Sequence, residues 1–148
     1  MARPKRLEAA TAWHDVGLHL RRNALGQIGF KVLVGGGMGR TPVIASTLRE
    51  FLPWNQILNY LEAVVRVYNR FGRRDNLYKA RIKILVKALG AEEFRARVER
   101  EWEITRQRVP ALGAAQLERA RSYFTAPPYR PLDDAAAADE IFAILMGE

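Results

Sequence analysis

Two short segments near the start of the chain alternate between apolar and polar positions. In "HDVGLHL" (14–20) and "IGFKVLV" (28–34) apolar side chains recur at every second position, which is the period of a strand with one buried face. The segment between them carries Asn23 and Gly26, residue types that accept the backbone dihedrals of a turn. The pattern predicts a β-hairpin over residues 13–34, with one face formed by Val16, Leu18, Leu20, Ile28, Phe30, Val32 and Val34.

After a run of glycines, the apolar residues recur at steps of three and four, the period of an amphipathic helix. Thr41 and Pro42 have the residue types favoured at the N-cap and at the first helical position. Pro53 would end such a helix. We therefore predict a helix over residues 41–52, with a buried stripe formed by Ile44, Leu48 and Phe51.

Three further helices are predicted from apolar stripes in the middle of the chain. The first covers residues 54–71 and is stopped by Gly72, and the second covers residues 80–89 and is stopped by Gly90. The third is the charged segment "AEEFRARVEREWE" (91–103). Its buried stripe consists of Phe94, Val98 and Trp102.

The periodic signal weakens after about Thr105. "AAQLERARSYF" (114–124) predicts a short helix, "TAPPYRPL" (125–132) an extended connection, and the segment from Asp134 a final helix. We expect a first unit over residues 1–105 and a helical, proline-containing extension or linker over residues 106–148. The whole pattern predicts an α/β (α+β) fold, in which the hairpin belongs to a mixed sheet and four or five helices follow.

Cysteine is absent from the sequence, and only two histidines, His14 and His19, are present. This excludes disulfides, thiolate nucleophiles and cysteine ligation of an iron–sulfur cluster by this chain. The spacing of the histidines fits no common metal motif, so we expect no metal ligand here. No apolar stretch approaches the roughly 18–20 residues that span a bilayer, and we predict a cytoplasmic protein without membrane contact.

The chain carries a formal net charge of +8 at pH 7, which is typical of proteins with an anionic partner. Between Arg66 and Gly90, eight basic residues accompany one acid, Asp75, so most of these cations lack a local partner. Three interpretations remain open: a solvated helix face, a nucleic-acid backbone, or one small polyanion. Aromatic side chains are not interleaved as in single-strand grooves, so we do not expect nucleic acid as the partner.

The stretch "YKARIKILVK" (78–87) determines how these cations can be arranged. On a continuous helix Lys79 and Lys83 share a face, and Arg81 lies about 200° from both. If the stretch is extended where it leaves the preceding loop, a period of two brings all three cations to one side. Convergent cations at a helix N-terminus would form a compact anion pocket.

The segment "GGGMGRTP" (35–42) contains four glycines, which favours a close backbone approach or positive φ angles. A dinucleotide-binding fingerprint would need glycine where Arg40 stands, and it would need a strand that opens a parallel βαβ unit. Two interpretations remain. The amides of the turn and Arg40 approach an anionic cofactor, or the glycines only let a strand and a helix pack closely.

Three segments, "GFKVLVGGGMGRTP", "LEAVVRVYNRFGRRDN" and "YKARIKILVKALGAEEFRARVEREW", together resemble the first catalytic half-domain of the sirohaem-containing nitrite and sulfite reductases. The resemblance extends from about Ala9 to Trp102. It implies the fold of that family's 4Fe–4S domain, with sirohaem and a coupled [4Fe–4S] cluster between two pseudo-symmetric halves. It also implies the activity of the complete enzymes, the six-electron reduction of sulfite to sulfide or of nitrite to ammonia.

By this resemblance, Arg81 and Lys83 match the family's basic pair on the distal side of the sirohaem iron. They would stabilise the bound oxyanion and help to deliver protons as S–O or N–O bonds break. Sirohaem carries eight carboxylates, and further matching positions are candidates for binding it. These cofactor-binding candidates are Gly35, Gly36 and Gly37 in the glycine turn, and Arg74, Asn76 and Lys79 in the loop before Arg81.

The sequence also departs from the family. The family's cluster-ligating cysteines belong to the later half of the enzyme, and the ferredoxin-like segment that precedes this region in the family has no counterpart here. We therefore expect a fragment, a split subunit or a truncated remnant that needs a complementary cysteine-containing half and is inactive alone. The alternative is a non-catalytic module that binds polyanions or nucleic acid. The same cations suit sulfite and nitrite.

Overall fold

The computed structural model describes residues 11–124. Its strands are β1 (Val16–Arg22), β2 (Ile28–Val34) and β3 (Ser46–Pro53). Its helices are α1 (Ile57–Phe71), α2 (Ile82–Leu89), α3 (Ala91–Arg108) and α4 (Ala114–Arg121), with 3₁₀ turns at Thr11–Trp13, Trp54–Gln56 and Leu77–Lys79. This architecture confirms the predicted α/β fold, with an N-terminal hairpin and four α-helices in the described part of the chain.

The sheet has the strand order β1-β2-β3. β1 and β2 form the predicted hairpin, in which Leu18 lies opposite Val32. Asn23 shapes the turn, because its Oδ1 accepts the N–H groups of Leu25 and Gln27 at 3.0 and 2.9 Å. Within residues 11–124 the sheet is antiparallel throughout rather than mixed, because the chain reverses between β2 and β3.

A helix over residues 41–52 is not observed, so that prediction was wrong. Residues 46–53 instead form β3, which pairs with β2. Leu48 and Leu52 are buried, whereas Ile44, which the helix would have buried, is 64% exposed. The four-residue spacing of Leu48 and Leu52 fits one face of a strand as well as one face of a helix, so pairing with β2 decides between them.

The helices after β3 form over the predicted segments. α1 ends at Phe71, and the following Gly72 donates its N–H to the carbonyl oxygen of Tyr68 at 2.7 Å. Gly90 separates α2 from α3, and its φ of 83° is one that residues with a Cβ rarely adopt. The buried stripe of α3 consists of Phe94, Val98, Trp102 and Thr105.

The core lies between one face of the sheet and helices α1, α2 and α3. Removing apolar surface from water is the main favourable term in folding. The same packing brings α2 against the end of β2, where a Cβ on Gly35 would lie 3.0 Å from Val86 Cγ2. The core residues are Val32, Val34, Leu48, Leu52, Tyr60, Ala63, Val64, Val67, Ile82, Leu85, Val86, Phe94, Val98 and Trp102.

A hydrogen-bonded network links α1, α3 and β3. The Tyr60 hydroxyl donates to Glu99 Oε1 at 2.8 Å, and Arg49 Nη1 donates to Glu99 Oε2 at 2.7 Å. Trp102 Nε1 donates to Asn59 Oδ1 at 2.9 Å. Burial and the Glu99 carboxylate raise the pKa of Tyr60 well above its ordinary value. These polar groups are therefore paired, as a low-dielectric interior requires.

The contacts divide the chain into two units, Met1–Ala114 and Ala115–Glu148. In the second unit the described residues include most of α4, which agrees with the predicted short helix. The predicted connection over residues 125–132 and the final helix from Asp134 lie outside the described residues. The predicted boundary after residue 105 stays a prediction. None of the helices within residues 11–124 has the length and apolar composition of a membrane span.

Candidate anion-binding site

The glycine turn after β2 is closely packed against the segment before β1. Gly35 has a φ of 81° and donates its N–H to the carbonyl oxygen of Asp15 at 2.9 Å. A Cβ on Gly36 would lie 2.3 Å from the carbonyl oxygen of Ala12, closer than any side chain can approach. The fold therefore requires glycine at these two positions, whatever the turn binds.

Gly37 is the glycine of the turn that faces cations. A Cβ placed there would lie 3.0 Å from Nη2 of Arg81 and 3.1 Å from Cδ of Lys83. Its backbone exchanges two hydrogen bonds with Val43, at 2.9 and 3.0 Å, and these fix the turn. The structure thus brings the sequence-predicted Gly37, Arg81 and Lys83 to one point.

The backbone at the start of α2 explains why Arg81 and Lys83 share a side. Arg81 is the N-cap of α2 and has extended dihedrals (φ −136°, ψ 150°), and Lys83 lies in the first helical turn. An extended residue turns its side chain to the same side as the residue two positions later. A helix continuous through residue 81 would have separated the two cations.

Lys83 is a buried cation. Only 7% of the residue is exposed, and its Nζ donates to the carbonyl oxygen of Thr41 at 2.8 Å. An ammonium group has three donor hydrogens, so a single hydrogen bond to a carbonyl leaves two donors for another group. Burial strengthens the attraction between such a donor and an anion, because the local dielectric is lower than that of water.

Arg81 forms an ion pair with Asp15, which lies 66 residues away in the sequence. Its Nη2 and Nε donate to the two carboxylate oxygens at 2.6 and 3.3 Å. This pairing raises the pKa of Arg81 above its ordinary value, so the guanidinium stays charged. The partner of Arg81 is therefore not local, whereas Arg73 pairs locally with Asp75.

The other basic and polar candidates lie in the loop between α1 and α2. Arg74 donates to the Tyr68 hydroxyl at 3.3 Å, and its guanidinium lies 4.7 Å from the centre of the Tyr68 ring. Asn76 caps the 3₁₀ turn, because its Oδ1 accepts the Tyr78 N–H at 3.0 Å. Lys79 is exposed at the end of that turn. The role of these three candidates in cofactor binding stays a prediction.

Two groups that bind the cationic pair were not predicted from the sequence to belong to the site. The Asp15 carboxylate binds Arg81, and the Thr41 carbonyl binds Lys83. Asp15 and Thr41 lie 66 and 42 residues from their partners, and no local sequence pattern predicts contacts over such separations.

The donors of this site suit carboxylates and small oxyanions. Arg81 offers a planar fork and Lys83 a compact ammonium, and both geometries bind anionic oxygens. Within residues 11–124 no three His, Asp or Glu side chains are grouped to hold a metal ion, and the sequence has no cysteine. The residues therefore fit the carboxylate arms of a tetrapyrrole. They do not fit a [4Fe–4S] cluster, whose irons are held by thiolates.

The described residues form an α/β domain in which two cations, Arg81 and Lys83, lie beside a glycine turn. Residues 2–106 match the family described as "Nitrite and sulphite reductase 4Fe-4S domain". The chain belongs to this family, as the sequence resemblance implied.

Relatives of this chain include sulfite reductases. The chain is 36% identical over 74 residues to sulfite reductase (ferredoxin) 1 of Mycolicibacterium paratuberculosis, covering 50% of this chain and 13% of that protein. It is 38% identical over 84 residues to the sulfite reductase (NADPH) hemoprotein beta-component of Erwinia tasmaniensis, covering 53% of this chain and 15% of that protein. The chain therefore spans only a small part of the length of these relatives.

Among solved structures, the Mycobacterium tuberculosis NirA protein resembles this chain with a TM-score of 0.60 and 25% sequence identity. The likeness covers 86% of this chain and 21% of the NirA chain. The two proteins therefore share the fold over most of the present chain, and this chain corresponds to one part of the larger protein.

Proposed function

We propose that this chain is the sirohaem-facing half-domain of an assimilatory-type nitrite or sulfite reductase. In this role it supplies basic residues that bind the carboxylates of sirohaem and the substrate oxyanion. The observation that carries the proposal is the convergence of Arg81 and Lys83 on Gly37. Membership of the reductase family supports the same function.

Arg81 would hold the anion through the donors that Asp15 leaves unused. A guanidinium has five N–H donors, and the hydrogen bonds to Asp15 occupy Nε and part of Nη2. Lys83 would place its ammonium against a substrate oxygen, offset the negative charge that develops there, and donate a proton from Nζ. The missing Cβ at Gly37 would let both cations approach the same anion.

Sirohaem, when bound, would supply the iron that binds the substrate and delivers electrons to it. The residues of this chain would bind carboxylates, orient the oxyanion and provide protons. Because the chain has no cysteine, we propose that a complementary cysteine-containing half supplies the cluster ligands and that the chain alone is inactive. Sulfite and nitrite are both small oxyanions, and the same pair of cations suits either.

Binding of an octacarboxylate tetrapyrrole to the isolated chain tests this proposal. Uroporphyrin is a suitable probe, because it carries eight carboxylates and its fluorescence reports binding. We expect Lys83→Met to weaken binding about tenfold or more, since a hydrogen bond to a charged group contributes about 1.5–3 kcal/mol. Lys87→Met removes the same charge from an exposed position of the same helix, and we expect it to weaken binding less than about threefold.

Equal losses in the two lysine variants would contradict the proposal. Displacement of the probe by single-stranded DNA, with a steep salt dependence shared among many basic residues, would favour the polyanion-binding alternative. Thermal melting of each variant separates loss of the site from loss of the fold. A stoichiometric [4Fe–4S] signal in electron paramagnetic resonance, after anaerobic reconstitution of the isolated chain, would contradict the proposed need for a cysteine-containing half.

A further inference from the structure

Asp15 is bound to the glycine turn and to Arg81 at the same time. Its carbonyl oxygen accepts the N–H of Gly35 at 2.9 Å, and its carboxylate accepts Nη2 and Nε of Arg81 at 2.6 and 3.3 Å. One residue therefore joins the end of β2 to the N-terminus of α2. The side chains of Arg81 and Asp15 are 38% and 41% exposed, so a ligand can reach the pair from solvent.

We propose that Asp15 is a positioning residue of the anion site, which holds the Arg81 guanidinium beside Gly37 and offsets part of its positive charge. The inference rests on the proposed function, because it takes Arg81 and Lys83 as the groups that bind the anion. Asp15 acts through Arg81 and does not contact the anion itself.

The positioning effect follows from the length of the arginine side chain. An exposed arginine samples many rotamers, and an anion that binds it must order the whole side chain. In this structure two hydrogen bonds to one carboxylate fix the plane of the guanidinium. The atom that lies nearest to a Cβ position on Gly37 is Nη2 of Arg81, so the fixed group already lies against the turn.

The carboxylate also has an electrostatic effect of opposite sign. It places a negative charge next to a site that binds negative ligands, and like charges repel. Asp15 therefore orders the site and at the same time keeps its affinity for an oxyanion moderate. Moderate affinity favours release of a charged product.

Two substitutions separate these effects in the full 148-residue chain, with inorganic sulfite as the probe. Asp15→Asn keeps an oxygen that accepts from Arg81 and removes the negative charge, so sulfite should bind about three- to tenfold more tightly than to the unsubstituted chain. Asp15→Ala removes the charge and the contact, so sulfite should bind at least about fivefold more weakly than to Asp15→Asn. Glu62→Gln is the matched control, because Glu62 pairs with Arg66 on α1, and it should leave sulfite affinity unchanged.

Nitrogen-15 NMR of the Arg81 Nε–H group provides a readout that a purely structural role would not change. The resonance should be separate from those of exposed arginines in the unsubstituted chain and in Asp15→Asn, and it should merge with them in Asp15→Ala. Thermal melting shows which variants are folded at the assay temperature. If Asp15→Ala is unfolded there, the comparison of Asp15→Asn with the unsubstituted chain and Glu62→Gln tests the electrostatic effect, and the positioning effect is tested by comparing Asp15→Asn with Asp15→Ala at a lower temperature, where Asp15→Ala is folded.

Failure of this inference can be distinguished from failure of the proposed function. If Arg81→Ala and Lys83→Met leave sulfite binding unchanged, the proposed function fails. If those two variants weaken binding while Asp15→Asn binds sulfite like Glu62→Gln, only the role of Asp15 is overturned. Equal sulfite affinity of Asp15→Asn and Asp15→Ala would overturn the positioning effect.

Discussion

The hydrogen-bonded network around Tyr60 and Glu99, called the core network below, and the candidate anion site pair their charged groups in different ways. In the core network the Glu99 carboxylate accepts from both the Tyr60 hydroxyl and Arg49. At the anion site the hydrogen bond of Lys83 goes to a carbonyl oxygen, and Arg81 shares only part of its donors with Asp15. The network uses its donors within the protein, whereas Arg81 and Lys83 have donor hydrogens that these hydrogen bonds do not use.

Buried polar side chains are therefore of two kinds in this domain, those whose charges are paired within the protein and those whose charges are not. Tyr60 and Lys83 are 0% and 7% exposed. Tyr60 completes a network that stabilises the fold, whereas Lys83 forms no ion pair with any acid in residues 11–124. A buried cation without a carboxylate lowers the stability of a fold. Arrangements that lower stability in this way occur in natural proteins mainly at functional sites.

Removing a large side chain from the core should have the largest effect and should leave the site unchanged. Phe94 is 0% exposed, so Phe94→Ala should lower the free energy of unfolding by about 3–5 kcal/mol in chemical denaturation. Sulfite affinity of the molecules that remain folded should not change. Phe124→Ala, at a residue that is 84% exposed, should change stability by less than about 0.5 kcal/mol. Similar small losses in both variants would contradict the position of α3 in the core.

Adding one methyl group to the glycine turn should separate stability from binding. Gly36→Ala places a Cβ against backbone, so it should lower the free energy of unfolding by about 1–3 kcal/mol. Gly37→Ala places a Cβ 3.0 Å from Arg81 Nη2 and 3.1 Å from Lys83 Cδ. Side chains can shift by the few tenths of an ångström that this requires more easily than backbone can, so stability should change by less than about 1 kcal/mol. Displacement of those two cations should weaken sulfite binding about fivefold. The opposite ranking of the two variants would show that Gly37 is only a packing residue.

Removing the Tyr60 hydroxyl tests whether the network stabilises the fold. Tyr60→Phe leaves Glu99 paired with Arg49, so we expect a moderate loss of about 1.5 kcal/mol in the free energy of unfolding. Tyr123→Phe, at a residue that is 73% exposed, is the matched control and should have no measurable effect. A change in the sulfite affinity of Tyr60→Phe would contradict the expectation that the network affects stability and not anion binding.

The exposed pair Arg73–Asp75 should have the smallest effect. The Arg73 guanidinium lowers the pKa of Asp75 from its ordinary value of 3.8 to about 2, and Arg73→Gln should return it toward that value in an NMR titration. Because the pKa is lowered in the folded state, the stabilisation is present above the ordinary value and is lost as the pH falls toward about 2. Stability at pH 7 should hardly change, because exposed ion pairs are screened by water.

Most helices and strands could be predicted from the sequence, and the prediction is best where the spacing of apolar residues along the chain matches the residues that are buried in the structure. Helices α2 and α3 follow this rule, and α1 forms where the pattern predicts it. In the hairpin the strands form as predicted, but Leu20 and Ile28 of the predicted face are 64% and 41% exposed, and Leu33 of the other face is buried. The segment that begins at Thr41-Pro42 was predicted wrongly, because its residue types favour a helix start while β2 offers an unpaired strand edge nearby. Pairing with β2 overrode local preference, and β3 formed instead.

The site could be predicted only in part. Arg81 and Lys83 lie two positions apart, so an extended residue at the helix start was enough to predict their convergence. The contacts of Asp15 with Gly35 and Arg81 join segments that are distant in the sequence, and only the tertiary structure reveals them. The sequence pattern also could not distinguish Gly36, which faces backbone, from Gly37, which faces side chains.

The outer strands of the sheet affect how the isolated chain behaves in solution. Among the described strands, β1 and β3 each pair only with β2, so each keeps one edge on which a strand of another molecule could add. The net charge of +8 keeps molecules apart at low ionic strength, and salt at about 0.1 M shortens the range of this repulsion to about 10 Å. The chain alone should therefore self-associate as salt is added, and a partner that covers either edge should act as a solubiliser.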